Sequence, residues 1–337
     1  MTVIQQVLFE LDAPYYGHPY AVTGHALFNA IARRVGEPVR RDLQVSHGVF
    51  TPKEFAEYPR EHSQSGYAGK LGGSLPDVEA YEDLFVYRDP AQRWLQNGRP
   101  RDAHNVHPVQ SLGGRLAFAP ECYFGRPPET RNSKRSVSWY LQCYLHTGRG
   151  PSDCLPLDES VLDGLRVGGG RNYGLGEVSV TDTQLVDLDA LDYSRLEAGA
   201  ASSGSCQVEL VSPYVLESGF PGADDQSVPW WWNVDQTAVS VPAGEDGLRR
   251  RETRLAVDGD THALSVVDHG QIVAYAGSDV VGTAINGVLR VGSHAKYGFG
   301  EVRLRPPQTD RVPKRRPAKK RVNWWRRAGQ LDGGEGV

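Results

Sequence analysis

The sequence predicts an α+β fold built from two tandem units of the same design, each interrupted by a long insertion. Three observations lead to this prediction. A glycine-rich segment occurs twice, each copy lies between a helical pattern and a strand pattern, and a weaker repeat marks the start of each unit. With 337 residues, the chain has room for about two ordinary domains.

The stronger repeat aligns residues 165–178 with residues 289–302 without gaps, and nine of the fourteen positions are identical. The weaker repeat pairs residues 9–15 with residues 208–214, and both copies contain a Pro-Tyr step. Internal repetition of this kind predicts that one supersecondary arrangement occurs twice in the fold.

The first unit opens with a strand pattern over Val3 to Leu11. Thr23 is typical of a helix N-cap, and the apolar spacing after it predicts a helix that stops at Gly36. Three patterns complete the unit: an alternating strand at 137–145, a short helix at 161–165 and a last strand at 174–180. The order β-α-…-β-α-β, with the long segment in the gap, is what a ferredoxin-like (RRM-like) split βαβ unit requires.

The second unit follows the same plan. One strand ends at Val211, a long excursion carries Trp230-Trp231-Trp232, and another strand is predicted at 271–275. Ser278 or Asp279 then caps a helix with one apolar stripe, which leads into the second glycine-rich segment. The tryptophans would stack on bases or pack, and adjacent positions in a strand predict packing for at least one of them.

These patterns divide the chain into domains at 1–194 and 205–305, followed by a tail at 306–337. Residues 195–205 have the Ala, Gly and Ser composition of a flexible linker. Residues at about 64–135 are weakly periodic and are predicted to be an insertion. The tail carries nine Lys and Arg against three Asp and Glu, and a charge run of this kind predicts a disordered, solvated segment.

Composition excludes several classes of protein. No apolar stretch approaches the roughly 20 residues of a membrane-spanning helix, and no signal-peptide pattern opens the chain, so we expect a cytoplasmic protein with no membrane contact. The four cysteines show neither a C-x-x-C pair nor zinc spacing, so we expect no metal and no cofactor. The net charge is −4 for the chain and −10 without the tail, which predicts that nucleic acid is contacted only at local patches.

Both glycine-rich segments, loop 1 (Gly168 to Gly176) and loop 2 (Gly292 to Gly300), are candidate phosphate-binding loops. Closely spaced glycines permit positive φ and let consecutive backbone N–H groups point at an anion. P-loops and dinucleotide-binding loops run from strand to helix, the reverse of the order in this chain. The alternative is that the glycines only form a tight helix-to-strand turn.

A helix, then G-x-G-x-x-x-G-x-G, then a closing strand resembles the signature loop of the RAMP superfamily of CRISPR-associated proteins. Loop 1 has the full pattern, whereas loop 2 has His294 in place of the second glycine. The segment from Thr23 to Ile31 resembles the first helix of that superfamily. The layout is similar to the type III effector subunit that holds the 5′ handle of the guide RNA.

The resemblance implies that the chain binds CRISPR RNA beside other CRISPR effector subunits, in antiviral defence. Its loops would contact the RNA backbone, and its insertion would act as a thumb or a partner-binding arm. The candidate RNA-binding residues are Gly168, Gly169, Gly170, Arg171, Asn172, Tyr173, Gly174, Gly176, Gly292, His294, Lys296, Tyr297, Gly298 and Gly300.

Members of the superfamily that cut repeat RNA supply an alternative function. The chain would then be a metal-independent endoribonuclease that leaves a 2′,3′-cyclic phosphate. His25 and His47 are the candidate catalytic residues, because a histidine near neutral pKa can shuttle the proton of an attacking 2′-hydroxyl. His25 stands at a helix start, where it would equally well cap or pack.

Overall fold

The computed structural model describes residues 2–17, 21–52, 73–88, 136–148, 154–203, 206–234, 247–257 and 259–306, with short strands at 108–109, 114–115 and 121–123. The strands are β1 Val3–Leu11, β2 Ala21–Val22, β3 Leu43–Val45, β4 Gly48–Pro52, β5 Pro108–Val109, β6 Gly114–Arg115, β7 Glu121–Tyr123, β8 Ser136–Thr147, β9 Leu165–Arg166, β10 Glu177–Asp187, β11 Gln207–Leu210, β12 Tyr214–Ser218, β13 Trp232–Asn233, β14 Arg250–Val257, β15 Asp260–Val267, β16 Ile272–Tyr275 and β17 Val302–Arg305. The helices are α1 Gly24–Ile31, α2 Glu37–Asp42, α3 Glu159–Leu162, α4 Ser194–Ser203 and α5 Val280–Val288.

The larger sheet is centred on β1, which pairs antiparallel with β8 on one side and with β10 on the other. Its strand order is β2-β4-β8-β1-β10-β9. If β1, β4, β8 and β10 are counted as its four main strands, the first lies between the third and the fourth. Leu27 of α1 and Leu162 of α3 share a core with Phe9 of β1. The α+β class predicted from the sequence is confirmed, and this strand order is that of a split βαβ unit.

The second sheet repeats this order with β13-β16-β11-β17, and α5 connects its third and fourth strands. Ala284 and Val288 of α5 are buried in the core under this sheet, as the apolar stripe predicts. Between Leu210 and Trp232, all of which is described, no helix occurs. In its place, β12 pairs with the hairpin of β14 and β15 to form a separate three-stranded sheet.

Two local predictions from the sequence were wrong: the linker conformation at 195–205 and the end of the first helix. The flexible linker expected at 195–205 is mostly the helix α4, because Leu196 is fully buried and Gly199 packs against Pro306. The first helix ends at Ile31 rather than at Gly36, and a short turn then leads into α2. The buried Leu196 shows that tertiary packing, and not composition, decides the conformation of this segment.

Residues 73–88 fall inside the segment predicted to be an insertion, yet they contribute to the core. Tyr81, Leu84 and Phe85 are buried together with side chains from β11, β17 and α5. This hydrophobic core therefore contains side chains from both halves of the chain, and residues Met1–Pro307 form one compact unit.

The strip at 73–88 ends in Arg88, whose side chain is fully buried. Its guanidinium forms an ion pair with Glu301, with Nε 2.7 Å from Oε1, and donates to the backbone oxygen of His47 at 2.9 Å and to Oε1 of Gln142 at 3.1 Å. Residue 301 directly follows loop 2. The ion pair consequently ties loop 2 to the larger sheet.

We expect Glu301→Gln to lower the free energy of unfolding by about 3 to 5 kcal/mol, because Arg88 would keep a buried charge without a counter-ion. Glu177 occupies the equivalent position after loop 1 and pairs with Arg166 at 2.8 Å in a half-exposed setting. Glu177→Gln is thus a matched control, with an expected loss below about 1 kcal/mol. Urea unfolding of both variants measures the difference, and equal losses would contradict the role of the buried pair.

Candidate nucleic-acid interface

Loop 1 and loop 2 have the same backbone conformation. Four positions in each loop have φ between 62° and 90°. Equivalent hydrogen bonds close both loops: Val167 N to Gly176 O and Val291 N to Gly300 O, Tyr173 N to Gly170 O and Tyr297 N to His294 O, Gly174 N to Arg171 O and Gly298 N to Ala295 O. The sequence repeat is therefore a structural repeat.

The weaker repeat anchors the stronger one. The N–H of Gly176 donates to the carbonyl oxygen of Pro14 at 2.9 Å, and the N–H of Gly300 donates to that of Pro213 at 2.8 Å. A Cβ atom on Gly300 would overlap the carbonyl oxygen of Val291, and the same holds in loop 1. Only glycine fits this close approach with its positive φ.

The two loops differ in what surrounds them. A Cβ atom on Gly174 would meet nothing within 4 Å, and the side chain of Tyr173 is 68% exposed. In loop 2, by contrast, Gly298 lies against the backbone and ring of His47, and Tyr297 packs edge-on against Phe28 with ring centroids 5.3 Å apart. Loop 1 faces solvent, whereas the tip of loop 2 is docked on the first half of the chain.

His294 adopts the left-handed conformation that glycine has in loop 1, with φ of 62°. For a residue with a side chain this costs about 1 kcal/mol or more. Its Nε2 lies 3.1 Å from Oγ of Ser218, and its ring packs edge-on against Phe220 and Phe299. His294 thus fixes loop 2 to the three-stranded sheet and is only partly exposed.

A groove with a volume of about 700 Å³ lies between the two loops. Its walls come from α1, α2, loop 1, loop 2 and the end of β14. Among the described residues, the charged side chains that line it are Arg33, Arg40, Arg41, Arg171 and Lys296, with Glu37 as the one acidic residue. The groove is therefore strongly cationic, in contrast to the acidic composition of the body.

The positive charges in the groove are only partly compensated by described residues. Partial burial lowers the pKa of Arg171, and the nearby charge of Arg33 lowers it further. Among the described residues, the guanidinium groups of Arg33, Arg41 and Arg171 form no ion pair, while Arg40 pairs with Glu37 at 2.9 Å. Like charges held this close favour a bound anion.

Lys296 of loop 2 reaches into the same groove. Its Nζ donates to the carbonyl oxygen of Arg41 at 3.0 Å and lies 4.9 Å from the ring centroid of Phe28. Burial lowers the pKa of Lys296, and the charge of Arg40 adds to this effect. A ligand in the groove would meet side chains of both loops.

Loop 1 also offers backbone donors. Within the part of the chain that the structure describes, the N–H groups of Gly170, Arg171 and Asn172 donate to no acceptor, since they precede the first hydrogen bond of a short 3-10 turn. The predicted site residues divide as follows: Asn172, Tyr173, Gly174 and Gly292 are exposed, Gly168, Gly169, Gly170, Arg171, His294, Lys296 and Tyr297 are partly exposed, and Gly176, Gly298 and Gly300 are buried.

His25 and His47 lie behind loop 2 and do not line the groove. Burial lowers the pKa of His25 to about 4. His47 connects β3 and β4, packs edge-on against Phe299 and is almost fully buried, which lowers its pKa well below the usual value. Both rings are consequently neutral at pH 7.

Sequence reasoning missed Arg33, Arg40 and Arg41. The signal that could have found them is the charged stretch at 33–42, which carries four arginines after the predicted first helix.

Of the tryptophans, Trp232 is buried against Tyr214 and Trp230 is 78% exposed. Among the described residues, no helix is long and apolar enough to cross a membrane.

Alanine at Gly174 and at Gly298 distinguishes the two loops. Both positions have positive φ, which costs alanine about 1 kcal/mol. At Gly298 the new Cβ would also lie 2.7 Å from the backbone N of His47, so we expect a loss of about 2 to 4 kcal/mol there. Chemical denaturation measures both variants, and equal losses would show that loop 2 is not docked.

Acid should destabilise the fold. Burial lowers the pKa of His25 to about 4 and that of His146 to about 3, so on acidification the unfolded chain binds protons at these two histidines before the folded chain does. As the pH falls below about 6.5, each histidine therefore lowers the free energy of unfolding by up to about 1.4 kcal/mol per pH unit. This loss stops at the pKa that the histidine has in the folded state. Urea unfolding at pH 7 and pH 5 tests this, and His25→Asn should weaken the pH dependence; an unchanged dependence would refute the contribution of His25.

No family model matches the sequence, and no curated protein matches it. Among solved structures, the chain is similar to a crystal structure of a CRISPR protein from Archaeoglobus fulgidus, with a TM-score of 0.28 and 9% sequence identity. The match covers 82% of this chain and 93% of that chain. A likeness at this TM-score carries no argument about function.

Proposed function

We propose that this chain is an RNA-binding subunit of a CRISPR effector complex and that it holds CRISPR RNA in the groove between loop 1 and loop 2. The observation that carries the RNA-binding part is the groove itself. Of the side chains that the structure describes, five cationic ones and one carboxylate line it, in a chain whose net charge is −4. Positive charge concentrated in one concave surface is the electrostatic footprint of a polyanion site.

The chemistry of the groove fits a phosphodiester backbone. Arg33 and Arg171 have no ion pair among the described residues, and a planar guanidinium can donate two parallel hydrogen bonds to one phosphate. Lys296 adds a point charge from the opposite wall. These contacts carry no sequence information, so the groove would bind the RNA backbone in a salt-dependent manner.

Loop 1 extends the site beyond the groove. The N–H groups of Gly170, Arg171 and Asn172, which have no acceptor among the described residues, can donate to a phosphate, and the exposed ring of Tyr173 can stack on a base. Loop 2 contributes Lys296 and otherwise supports the wall, since its tip is docked. The first copy of the repeat would then bind the ligand, and the second copy would position it.

The CRISPR part of the proposal rests on the pattern of the glycine loops. Loop 1 has the full G-x-G-x-x-x-G-x-G pattern between a helix and a closing strand, and the pattern recurs with one change in loop 2. Other effector subunits are the partners that the same resemblance implies. Binding is favoured over cleavage, because the rings of His25 and His47 are buried, neutral and outside the groove.

The double variant Arg33→Ala/Arg171→Ala tests the site. We expect its affinity for a fluorescent CRISPR-repeat RNA to fall roughly 10-fold to 100-fold. The slope of log affinity against log salt concentration should become shallower by about 1.4, because each phosphate contact on a single strand contributes about 0.7 to this slope. Fluorescence anisotropy over a salt series measures both quantities. Arg195→Ala, on α4 and outside the groove, is the control for the loss of a positive charge.

No RNA affinity in the wild type, or an unchanged salt dependence in the double variant, would overturn the binding site. A repeat RNA that binds no better than unrelated RNA of equal length would argue against the CRISPR assignment. Incubation of the RNA in EDTA tests the alternative function. Cleavage that is lost in His25→Ala or His47→Ala would make the chain an endoribonuclease.

A further inference from the structure

The wall of the groove continues into a charged strand face. Side chains of β14 alternate strictly between exposed and less exposed positions. Leu255 and Val257 point inward and belong to a hydrophobic core. Arg250, Glu252, Arg254 and Ala256 share the outward face of the strand, which we name the β14 face. Its last member, Ala256, lines the groove.

The direction of the β14 face relative to the groove is fixed. Nδ2 of Asn29 on α1 donates to the carbonyl oxygen of Ala256 at 3.1 Å, and β14 pairs with β15 along its whole length. Alternate residues of a strand lie about 7 Å apart. Arg254 is thus one such step from the groove, and Arg250 is about 20 Å from Ala256 at the far end of the face.

Arg254 is available for a ligand. Its exposed guanidinium forms no hydrogen bond or ion pair with any described residue. Arg251 precedes Glu252 on the same strand but lies on the opposite face. Its guanidinium is paired with the carboxylate of Asp268 at 3.2 Å. The same strand therefore offers one available arginine toward the groove side and one that is engaged elsewhere.

We propose that the β14 face extends the binding site, so that an RNA strand leaving the groove runs along β14 with a phosphate on Arg254. The inference rests on the proposed function and adds the path and the length of the bound strand. Glu252 lies on the same face and repels a phosphate, so it opposes binding of a strand on this path. Removal of the two charges must then have opposite effects.

Two RNA lengths separate the groove from the β14 face. With an RNA of about 12 nucleotides, Arg254→Ala should weaken binding about threefold to tenfold and make the slope of log affinity against log salt concentration shallower by about 0.7. Glu252→Gln should tighten binding of the same RNA about twofold to fivefold. With an RNA of about 4 nucleotides, which the groove alone can hold, neither variant should change the affinity. Arg251→Ala is the matched control on the opposite face and should behave as the wild type with both RNAs.

Circular dichroism and urea unfolding establish that each variant is folded before its affinity is compared. If Arg254→Ala and Glu252→Gln leave the longer RNA unaffected while Arg33→Ala/Arg171→Ala loses binding, the inference is overturned and the proposed function stands. Arg254 would in that case only protect an edge strand from pairing with other chains. If the wild type binds neither RNA, the proposed function and the inference fall together.

Discussion

The buried ion pair of Arg88 and Glu301 is the interaction on which the rest of the structure depends. Taking two charges out of water is costly, and the cost is met only where the remaining donors and acceptors are also satisfied. Arg88 meets this condition, because it also donates to the backbone of His47 and to the side chain of Gln142 and lies over the ring of Tyr144. One guanidinium thereby joins the strip at 73–88, the larger sheet and the strand that follows loop 2.

The partner of this glutamate distinguishes the two copies of the glycine-rich loop. After loop 1, Glu177 on β10 pairs with Arg166, the residue opposite it on the neighbouring strand β9. After loop 2, the equivalent Glu301 pairs instead with Arg88. The partner is different, and the tip of loop 2 is also docked on the first half of the chain, whereas loop 1 faces solvent. Lys296 of loop 2 lines the groove together with Arg171 of loop 1.

The sequence predicted the elements whose patterns are local. β1 was recognised from its strand pattern and α5 from its apolar stripe, and Asp279 caps α5 by accepting from the N–H of Gly282 at 2.8 Å. The loops follow from the repeat, because positive φ and close approach both select glycine. Such features are written in residues close together in the chain.

Features that depend on distant contacts were missed. α4 has the composition of a linker, and only its packing against the core makes it a helix. Tyr81 and Arg88 occupy a weakly periodic segment that no local pattern assigns to an interior. Likewise, nothing in the sequence shows that Arg33 and Arg171, far apart in the chain, line one groove. In this chain the glycine loops with Arg171 and Lys296 were visible from the sequence, and the arginines at positions 33, 40 and 41 that line the groove beside them were not.

The groove is lined by residues from both copies of the repeat. A fragment that ended before residue 205 would retain Arg33 and Arg171 and would lack both Lys296 and the wall formed by β14. On the proposed function, neither copy of the repeat would form the complete binding site alone. A substitution that loosens the contacts between the two copies would then lower the affinity for RNA without changing a residue that the RNA contacts.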